Sequence, residues 1–334
     1  MASETSAGAP GVAVEAKKPY DTETYYAMTL DPVHVGTGGY RLGRVDNAIV
    51  REPGTKLPKI PGTSISGVCR AYSAMAIQSA NPAEEKYLRA NGTSCAGKGG
   101  AEGDSHCGNE NCKICVSFGF SKGPSNSSFQ GLAQFFDARI LFFPVYSMKG
   151  PVWVTSPTAL VDSKIFPVVV GSVADGKFKA LDAATADERL NFGWLYLERD
   201  GGPGDAYFTK TVRVPGLAGH NDRVYVVNDK LFSRIVNDNL EVRTSVAIDP
   251  ATGAAEDGAL YTYEAIPRAT LMWFDVAYNK PEYFKIKDRP IEVTQAQIIK
   301  TVENGLKLLK DLGLGGMNTR GMGRCRVMKH EGDL

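Results

Sequence analysis

Four cysteines lie close together in the chain: Cys95, Cys107, Cys112 and Cys115. Thiolates at such short spacing can converge on a tetrahedral zinc ion. Either Cys95 or His106 is the fourth candidate ligand, and Cys95 is favoured because the neighbours His106 and Cys107 seldom point toward one ion. A structural ion would help to order the Gly- and Asn-rich segment 81–127. Reduced cysteines without a metal are the alternative.

Two further residues could do chemistry in the first third of the chain. Asp46 follows a glycine-rich segment, residues 34–43, and a carboxylate there could bind Mg²⁺ or act as a base if its pKa were raised. His34 opens the same segment and could donate a proton near neutral pH. The simpler explanations are that Asp46 pairs with Arg44 or Arg51, and that His34 is a hydrogen-bonded loop residue.

Two glycine-rich segments, 34–43 and 313–323, could present backbone N–H groups to phosphates. Basic side chains beside them could add charge. The candidate phosphate-binding residues are Gly36, Gly38, Lys56, Lys59, Arg70, Gly316, Arg320, Gly321 and Arg324. The alternative is that these glycines only form tight turns. A dinucleotide fold is disfavoured because no helix directly follows the first segment.

Composition narrows the class of protein. The chain has 334 residues, 43% of them apolar, with 38 basic and 37 acidic side chains and a net charge of +1. It therefore cannot be an indiscriminate polycation, although a local basic groove stays possible. The sequence contains no apolar run that is long enough to predict a membrane span. Residues 1–19 are expected to be a disordered tail, and a cytoplasmic location is expected.

Strands and helices alternate irregularly, which predicts an α+β fold. Helices are predicted from residue 63 or 64 to about 80, with Ile65, Val68, Tyr72 and Met75 on one face, and over 294–312, with a Thr294–Gln297 capping box. A strand at 242–248 followed by a turn predicts a hairpin arm. The predicted strands are 25–30, 45–50, 135–143, 224–227, 242–248, 271–276 and 324–328.

Four phenylalanines in the predicted strand 135–143 could be mistaken for RNA-stacking aromatics. Alternation along a strand places half of them in the core, so packing is the better explanation.

Several ordered segments resemble the RAMP superfamily of CRISPR proteins, most specifically the backbone subunit of the type III-B complex. The type III-A backbone subunit shares the Val-Asp-Asn and IPGTS patterns. The family often has an acidic residue near Ala269, which is absent here, so Glu264 is the local acidic candidate. The matching segments are 34–38, 45–52, 60–67, 137–150, 155–157, 258–267 and 313–323.

This resemblance implies a ferredoxin-like (RRM-like) core, a protruding thumb in residues 222–264 and a Cys-rich zinc-binding insertion in residues 81–127, all within one domain of residues 20–330. It implies a subunit that binds guide RNA, stacks with copies of itself and other effector subunits, and cleaves target RNA with Mg²⁺ or another divalent cation. Asp46 matches the family's catalytic aspartate, and His34 and Glu264 are further catalytic candidates. The alternatives are a non-catalytic guide-RNA scaffold, an enzyme that matures guide RNA, or an unrelated zinc-stabilised protein.

Overall fold

The computed structural model describes residues 18–38, 45–80, 95–96, 106–121, 127–165, 171–181, 187–202, 205–208, 214–217, 219–256, 260–330 and 332–334. Its helices are α1 (Gly62–Ala80), α2 (Lys113–Phe118), α3 (Pro157–Asp162), α4 (Asp229–Asp238), α5 (Gln295–Lys307) and α6 (Leu309–Leu312). Its strands are β1 (Tyr20–Thr29), β2 (Lys59–Ile60), β3 (Ala133–Phe135), β4 (Ala138–Ser147), β5 (Gly150–Thr155), β6 (Lys177–Ala180), β7 (Arg189–Phe192), β8 (Leu195–Arg199), β9 (Val224–Val227), β10 (Glu241–Ser245), β11 (Tyr261–Ala265), β12 (Leu271–Asn279), β13 (Lys285–Ile286), β14 (Arg289–Pro290), β15 (Cys325–Lys329) and β16 (Gly332–Asp333). The predicted tail, apart from residues 18 and 19, and most of 81–105 lie outside the described residues.

Four neighbouring strands of one large sheet lie in the spatial order β15, β1, β12 and β4. Each neighbouring pair is antiparallel. The chain enters α1 after β1 and α5 after β12, and these two helices pack together through a hydrogen bond from the Ser73 hydroxyl to the Thr301 carbonyl oxygen (2.8 Å). The predicted mixed architecture of helices and a sheet is confirmed. No described helix has the length and apolar character needed to cross a membrane.

The sheet is covered on both faces, because β4 contributes to two separate hydrophobic clusters. Phe143 is buried with α1 and α5, whereas Phe142 is buried on the opposite face with α3 and the strand β9. Phe135 and Phe136 precede β4 and are separated from it by Asp137, and Phe136 is 53% exposed. The prediction of one strand over 135–143 was therefore wrong, whereas the prediction that half of its phenylalanines lie in the core is confirmed by the fully buried Phe142 and Phe143.

Three other expectations need correction. Residues 45–50 form isolated bridges to neighbouring segments instead of a strand. In α1 the side chains facing the core include Ile65 and Cys69, whereas Met75 is 39% exposed. The region 222–264 contains β9, which belongs to the large sheet, and α4, so only β10 and β11 stand apart as a hairpin.

The sheet topology brings loops that are distant in sequence to one end of the sheet. Thr29, at the end of β1, pairs with Cys325, at the start of β15, and Met28 pairs with Leu271, at the start of β12. The segments that follow β1 and precede the other two strands therefore leave from the same end of the sheet. We call residues 32–38 the first glycine loop, residues 313–323 the second glycine loop, and β10 with β11 the hairpin arm.

Candidate active site and cysteine cluster

The two glycine loops meet at His34. The Gly316 N–H donates to the His34 carbonyl oxygen at 2.8 Å, and a side chain at Gly315, whose φ is +85°, would collide with that same oxygen. Glycine is required there because both the close approach and the left-handed backbone exclude other residues. These glycines therefore join the loops, while Gly38 and Gly321 face open space with positive φ values. Gly36 and Gly316 are likewise exposed.

His34 is 8% exposed and is fixed by the hairpin arm. Its Nδ1 lies 2.6 Å from the Glu264 carbonyl oxygen, so Nδ1 must carry the proton in this bond. The ring also meets Tyr263 edge to face, with centroids 5.9 Å apart. The Nε2 atom is consequently left as the nitrogen that could exchange a proton, and it lies beside Gly36.

Asp46 is exposed, and its carboxylate is held by Thr262 of β11. The Oδ2 atom accepts a hydrogen bond from the Thr262 N–H (2.7 Å) and another from its hydroxyl (2.9 Å). The Asp46 N–H donates in return to the Thr262 hydroxyl oxygen at 3.1 Å. The bonds from the Thr262 backbone and side chain lower the pKa of Asp46 below its ordinary value, which favours the charged carboxylate.

Glu264 has a different environment from Asp46. It is 6% exposed and its Oε2 accepts a hydrogen bond from Arg51 at 2.8 Å. Arg51 also donates to Asn237 Oδ1 (3.0 Å) and to the Ile49 carbonyl oxygen (3.2 Å). The Arg51–Glu264 ion pair therefore links β11, α4 and the segment after Asp46. These contacts hold parts of the fold together.

Of the predicted RNA-binding basic residues, three present charge at the surface. Lys56 is exposed in a turn with φ of +61°. Arg320 donates to the Tyr261 hydroxyl at 2.9 Å, at the edge of the hairpin arm. Arg324 is half-exposed and makes two bonds to the Asp31 carboxylate, 2.5 and 3.1 Å long.

Two other predicted basic residues are engaged by groups of the protein itself. Lys59 pairs with Asp137 at 2.6 Å. Arg70, half-buried on α1, donates to the Cys95 carbonyl oxygen at 2.9 and 2.7 Å and to the Gly119 carbonyl oxygen at 2.8 Å. The N–H groups of Arg70 are thus used in hydrogen bonds to the backbone around the cysteines. This contact explains Arg70 better than RNA binding does.

The four predicted cysteines come together, and each offers a sulfur within 4.8 Å of the others. Cys107 and Cys115 have sulfurs 3.7 Å apart, and those of Cys112 and Cys95 are 3.8 Å apart. A tetrahedron with metal–sulfur bonds of about 2.3 Å has edges of about 3.8 Å. The cluster therefore could hold a metal ion, with Cys95 as the fourth ligand.

Local structure positions these sulfurs. Cys112 caps α2, and its sulfur accepts the Cys115 N–H at 3.5 Å, so the two cysteines share the first turn of the helix. Neighbouring S–H groups, that of Cys112 foremost, lower the pKa of Cys107. His106 is buried against Phe120 instead of completing the cluster.

Sequence reasoning missed Thr262 and Asn237. Nothing in their local sequence distinguishes them, because their contacts bridge 216 residues to Asp46 and 186 residues to Arg51. One signal for Thr262 was available in the sequence. It lies two residues before the acidic candidate Glu264, and alternate residues of a strand lie on the same face.

A family model described as the RAMP superfamily matches residues 26–326. A relative from Pyrococcus furiosus, the CRISPR system Cmr endoribonuclease Cmr4, is 27% identical over 325 residues, covering 91% of this chain and 94% of that protein.

Solved structures share the fold. A type III-B Cmr-beta complex bound to cognate target RNA contains a chain with a TM-score of 0.63 and 17% identity, and the match covers 94% of this chain and 99% of that one. Oligomeric Cmr4 from Pyrococcus furiosus gives a TM-score of 0.53 at 21% identity, over 92% of this chain and 96% of that one.

Proposed function

Because this chain belongs to the RAMP superfamily, we propose that it is a guide-RNA-binding backbone subunit of a type III-B CRISPR complex and that it cleaves complementary target RNA. The relative named as an endoribonuclease supports the activity, and the neighbour bound to target RNA supports the substrate. The oligomeric neighbour supports assembly with further copies of the chain. Other effector subunits are expected partners, and the cytoplasm stays the expected location.

The observation that carries the proposal is the exposed Asp46 carboxylate where the first glycine loop meets the hairpin arm. RNA cleavage requires activation of a hydroxyl or water and stabilisation of charge on the phosphate. Asp46 can approach a phosphate, whereas Glu264 is covered and neutralised by Arg51. Asp46 is therefore our catalytic residue, and Glu264 a structural one.

A divalent cation fits this site. Mg²⁺ in proteins is commonly bound by one or two carboxylates together with substrate phosphates and water. The Oδ2 atom of Asp46 is engaged by Thr262, which leaves Oδ1 for a cation. Once bound, such an ion would stabilise negative charge on the phosphate. The lowered pKa of Asp46 favours this role over that of a general base, which needs a raised pKa.

The RNA would lie over the two glycine loops, with the exposed Gly36, Gly38, Gly316 and Gly321 allowing close approach of the backbone. Lys56 and Arg320 would supply charge at its edges, whereas the charge of Arg324 is balanced by Asp31. In the neutral ring the fixed bond keeps the proton on Nδ1, so Nε2 carries the lone pair; His34 could accept a proton through Nε2 and donate it from the protonated ring. His34→Asn keeps a short polar side chain without a titrating ring, so slower cleavage with unchanged RNA binding would support the proton-transfer role.

The finer architecture follows from the same proposal. The order β15, β1, β12, β4 with α1 and α5 between consecutive strands supports a ferredoxin-like (RRM-like) core. The hairpin arm would be the thumb. The sulfur spacing supports a structural zinc ion held by Cys95, Cys107, Cys112 and Cys115, an ion that would order the insertion.

The deciding experiment uses the assembled complex and a labelled RNA complementary to the guide. Cleavage is measured with and without Mg²⁺ for wild type, Asp46→Ala and Asp46→Asn. We expect regularly spaced products in wild type only, and only with the metal. Asp238→Asn, on the exposed side of α4, is the matched control and should cleave normally.

Target binding is measured alongside cleavage. Cleavage that persists in both Asp46 variants would reject the assignment of that residue. Tight target binding without cleavage by any protein would indicate a guide-RNA scaffold. Metal-independent processing of the guide itself would indicate a maturation enzyme.

A further inference from the structure

Among the described strands, β10 and β11 pair only with each other, so the hairpin arm is fastened to the rest of the chain mainly at its base. At this base, residues 262–266 form backbone hydrogen bonds with two segments of the first third of the chain. The Asn47 N–H donates to the Thr262 carbonyl oxygen (3.0 Å), and the Glu264 N–H donates to the Asn47 carbonyl oxygen (3.1 Å). Val33 and Ile266 exchange a second pair of bonds.

Within this base, Thr262 is the residue that touches the Asp46 carboxylate. Its N–H and hydroxyl both reach one oxygen, Oδ2, which fixes the rotation of the carboxylate and determines where Oδ1 points. The hydroxyl also accepts the Asp46 N–H, so the contact is reciprocal. An exposed aspartate without such bonds would sample several rotamers, because nothing would favour one over another.

We propose that Thr262 is the positioning residue of Asp46, and that the hairpin arm sets the orientation of the catalytic carboxylate through it. This inference rests on the proposed function. Thr262 touches neither a substrate nor a cation in this arrangement; it acts through Asp46. An RNA that displaces the arm on binding would move Thr262, and the carboxylate would follow.

The chain offers a well-matched set of variants. Thr262→Val keeps the size and β-branching of the side chain but removes the hydroxyl, while Thr262→Ser keeps the hydroxyl. Thr244 lies directly opposite Thr262 in the hairpin and is exposed, so Thr244→Val is the same change one strand away.

We expect Thr262→Val to lower the cleavage rate by roughly tenfold to hundredfold, the range for a misoriented catalytic group. Thr262→Ser should retain cleavage within about threefold, and Thr244→Val should match wild type. A merely structural role would give the opposite order, because valine suits a strand better than serine does. Equal rates for Thr262→Val and wild type would overturn the inference.

A second measurement does not depend on activity. In Asp46→Ala the Thr262 amide loses its acceptor, so hydrogen–deuterium exchange in the full complex should rise at residue 262 and stay unchanged at residue 244. Unchanged exchange in both places, with cleavage lost in Asp46→Ala, would sink the positioning role and leave the proposed function standing. Normal cleavage by Asp46→Ala would instead sink the proposed function.

Discussion

Arg70 donates two N–H groups to the carbonyl oxygen of Cys95, at 2.9 and 2.7 Å. Through this contact α1, the longest of the described helices, holds the cysteine that precedes the other three members of the cluster in sequence. Burial lowers the pKa of the guanidinium, while the nearby cysteine sulfurs act in the opposite direction. The cysteine cluster is thus tied to the core by an arginine as well as by its sulfurs.

Arg70→Met should destabilise the protein, because it leaves two buried carbonyl groups without their donors. We expect the free energy of unfolding, measured by denaturant titration, to fall by about 2–4 kcal/mol. Arg234→Met is the control, since the Arg234 side chain is 67% exposed on α4, and should change stability by about 0.5 kcal/mol or less. Equal stabilities for the two variants would contradict this role for Arg70.

Purified protein should contain about one zinc ion per chain. Cys112→Ser should lose most of it, because a hydroxyl is a poor substitute for a thiolate ligand. Cys69→Ala changes a buried cysteine of α1 outside the cluster and should keep its zinc. Elemental analysis checks all three proteins, and a wild-type protein without zinc would reject the site.

Glu264 and Asp46 should respond differently to substitution. Glu264→Gln removes the charge that balances a mostly buried Arg51, so the free energy of unfolding should fall by about 1–3 kcal/mol. Asp46→Ala, at an exposed position, should leave the unfolding transition where it is while abolishing cleavage. If Glu264→Gln were fully stable and yet inactive, Glu264 would belong to the reaction after all.

The Asp31–Arg324 pair should make stability depend on pH in a defined direction. The bond from the Arg324 guanidinium lowers the pKa of Asp31 below its ordinary value of 3.8. A depressed folded-state pKa gives stabilisation that is present above the unfolded pKa and is lost as the pH falls through the folded one.

Arg324→Gln should therefore lower the melting temperature at about pH 6, and its difference from wild type should shrink below about pH 3.8. Thermal denaturation across this range measures the effect. Arg326→Gln, an exposed change on β15 two residues after Arg324, should differ little from wild type at every pH. A difference for Arg324→Gln that grows as the pH falls would contradict the assignment.

Local signals predicted the regular elements well where they were strong. The Thr294–Gln297 capping box is present at the start of α5, and Gly313 follows α6 with a φ of +73°. The predicted turn at 249–253 is present, since the Gly253 N–H donates to the Asp249 carbonyl oxygen at 2.8 Å, and it lies between β10 and β11 in the sequence. No element was predicted over 177–199, where the sequence carries few sharp signals. The helix α4 was also not predicted, although Asn228 caps it and its buried side chains Phe232, Ile235 and Val236 lie on one face.

The candidate site was predicted in its parts but not in its connections. The cysteine cluster was predictable because the spacing of its cysteines is typical of a metal site. Asp46 and His34 were identified as candidates from the glycine-rich segment beside them and from the family resemblance of that segment. The partners of Asp46, Glu264 and Arg70 lie far away in the sequence, so only the folded chain reveals which side chains neutralise or orient one another.

The burial of β4 on both faces limits how this protein can change over evolution. Phe143 belongs to the side of α1 and α5, and Phe142 to the side of β9 and α3, so one strand is shared by two hydrophobic clusters. The region from β5 to β9 therefore cannot be deleted as a separate module, because its loss would expose Leu141 and Phe142 to water. Shorter family members would need a more polar β4, whereas exposed turns such as 249–253 can lengthen or shrink without that compensation.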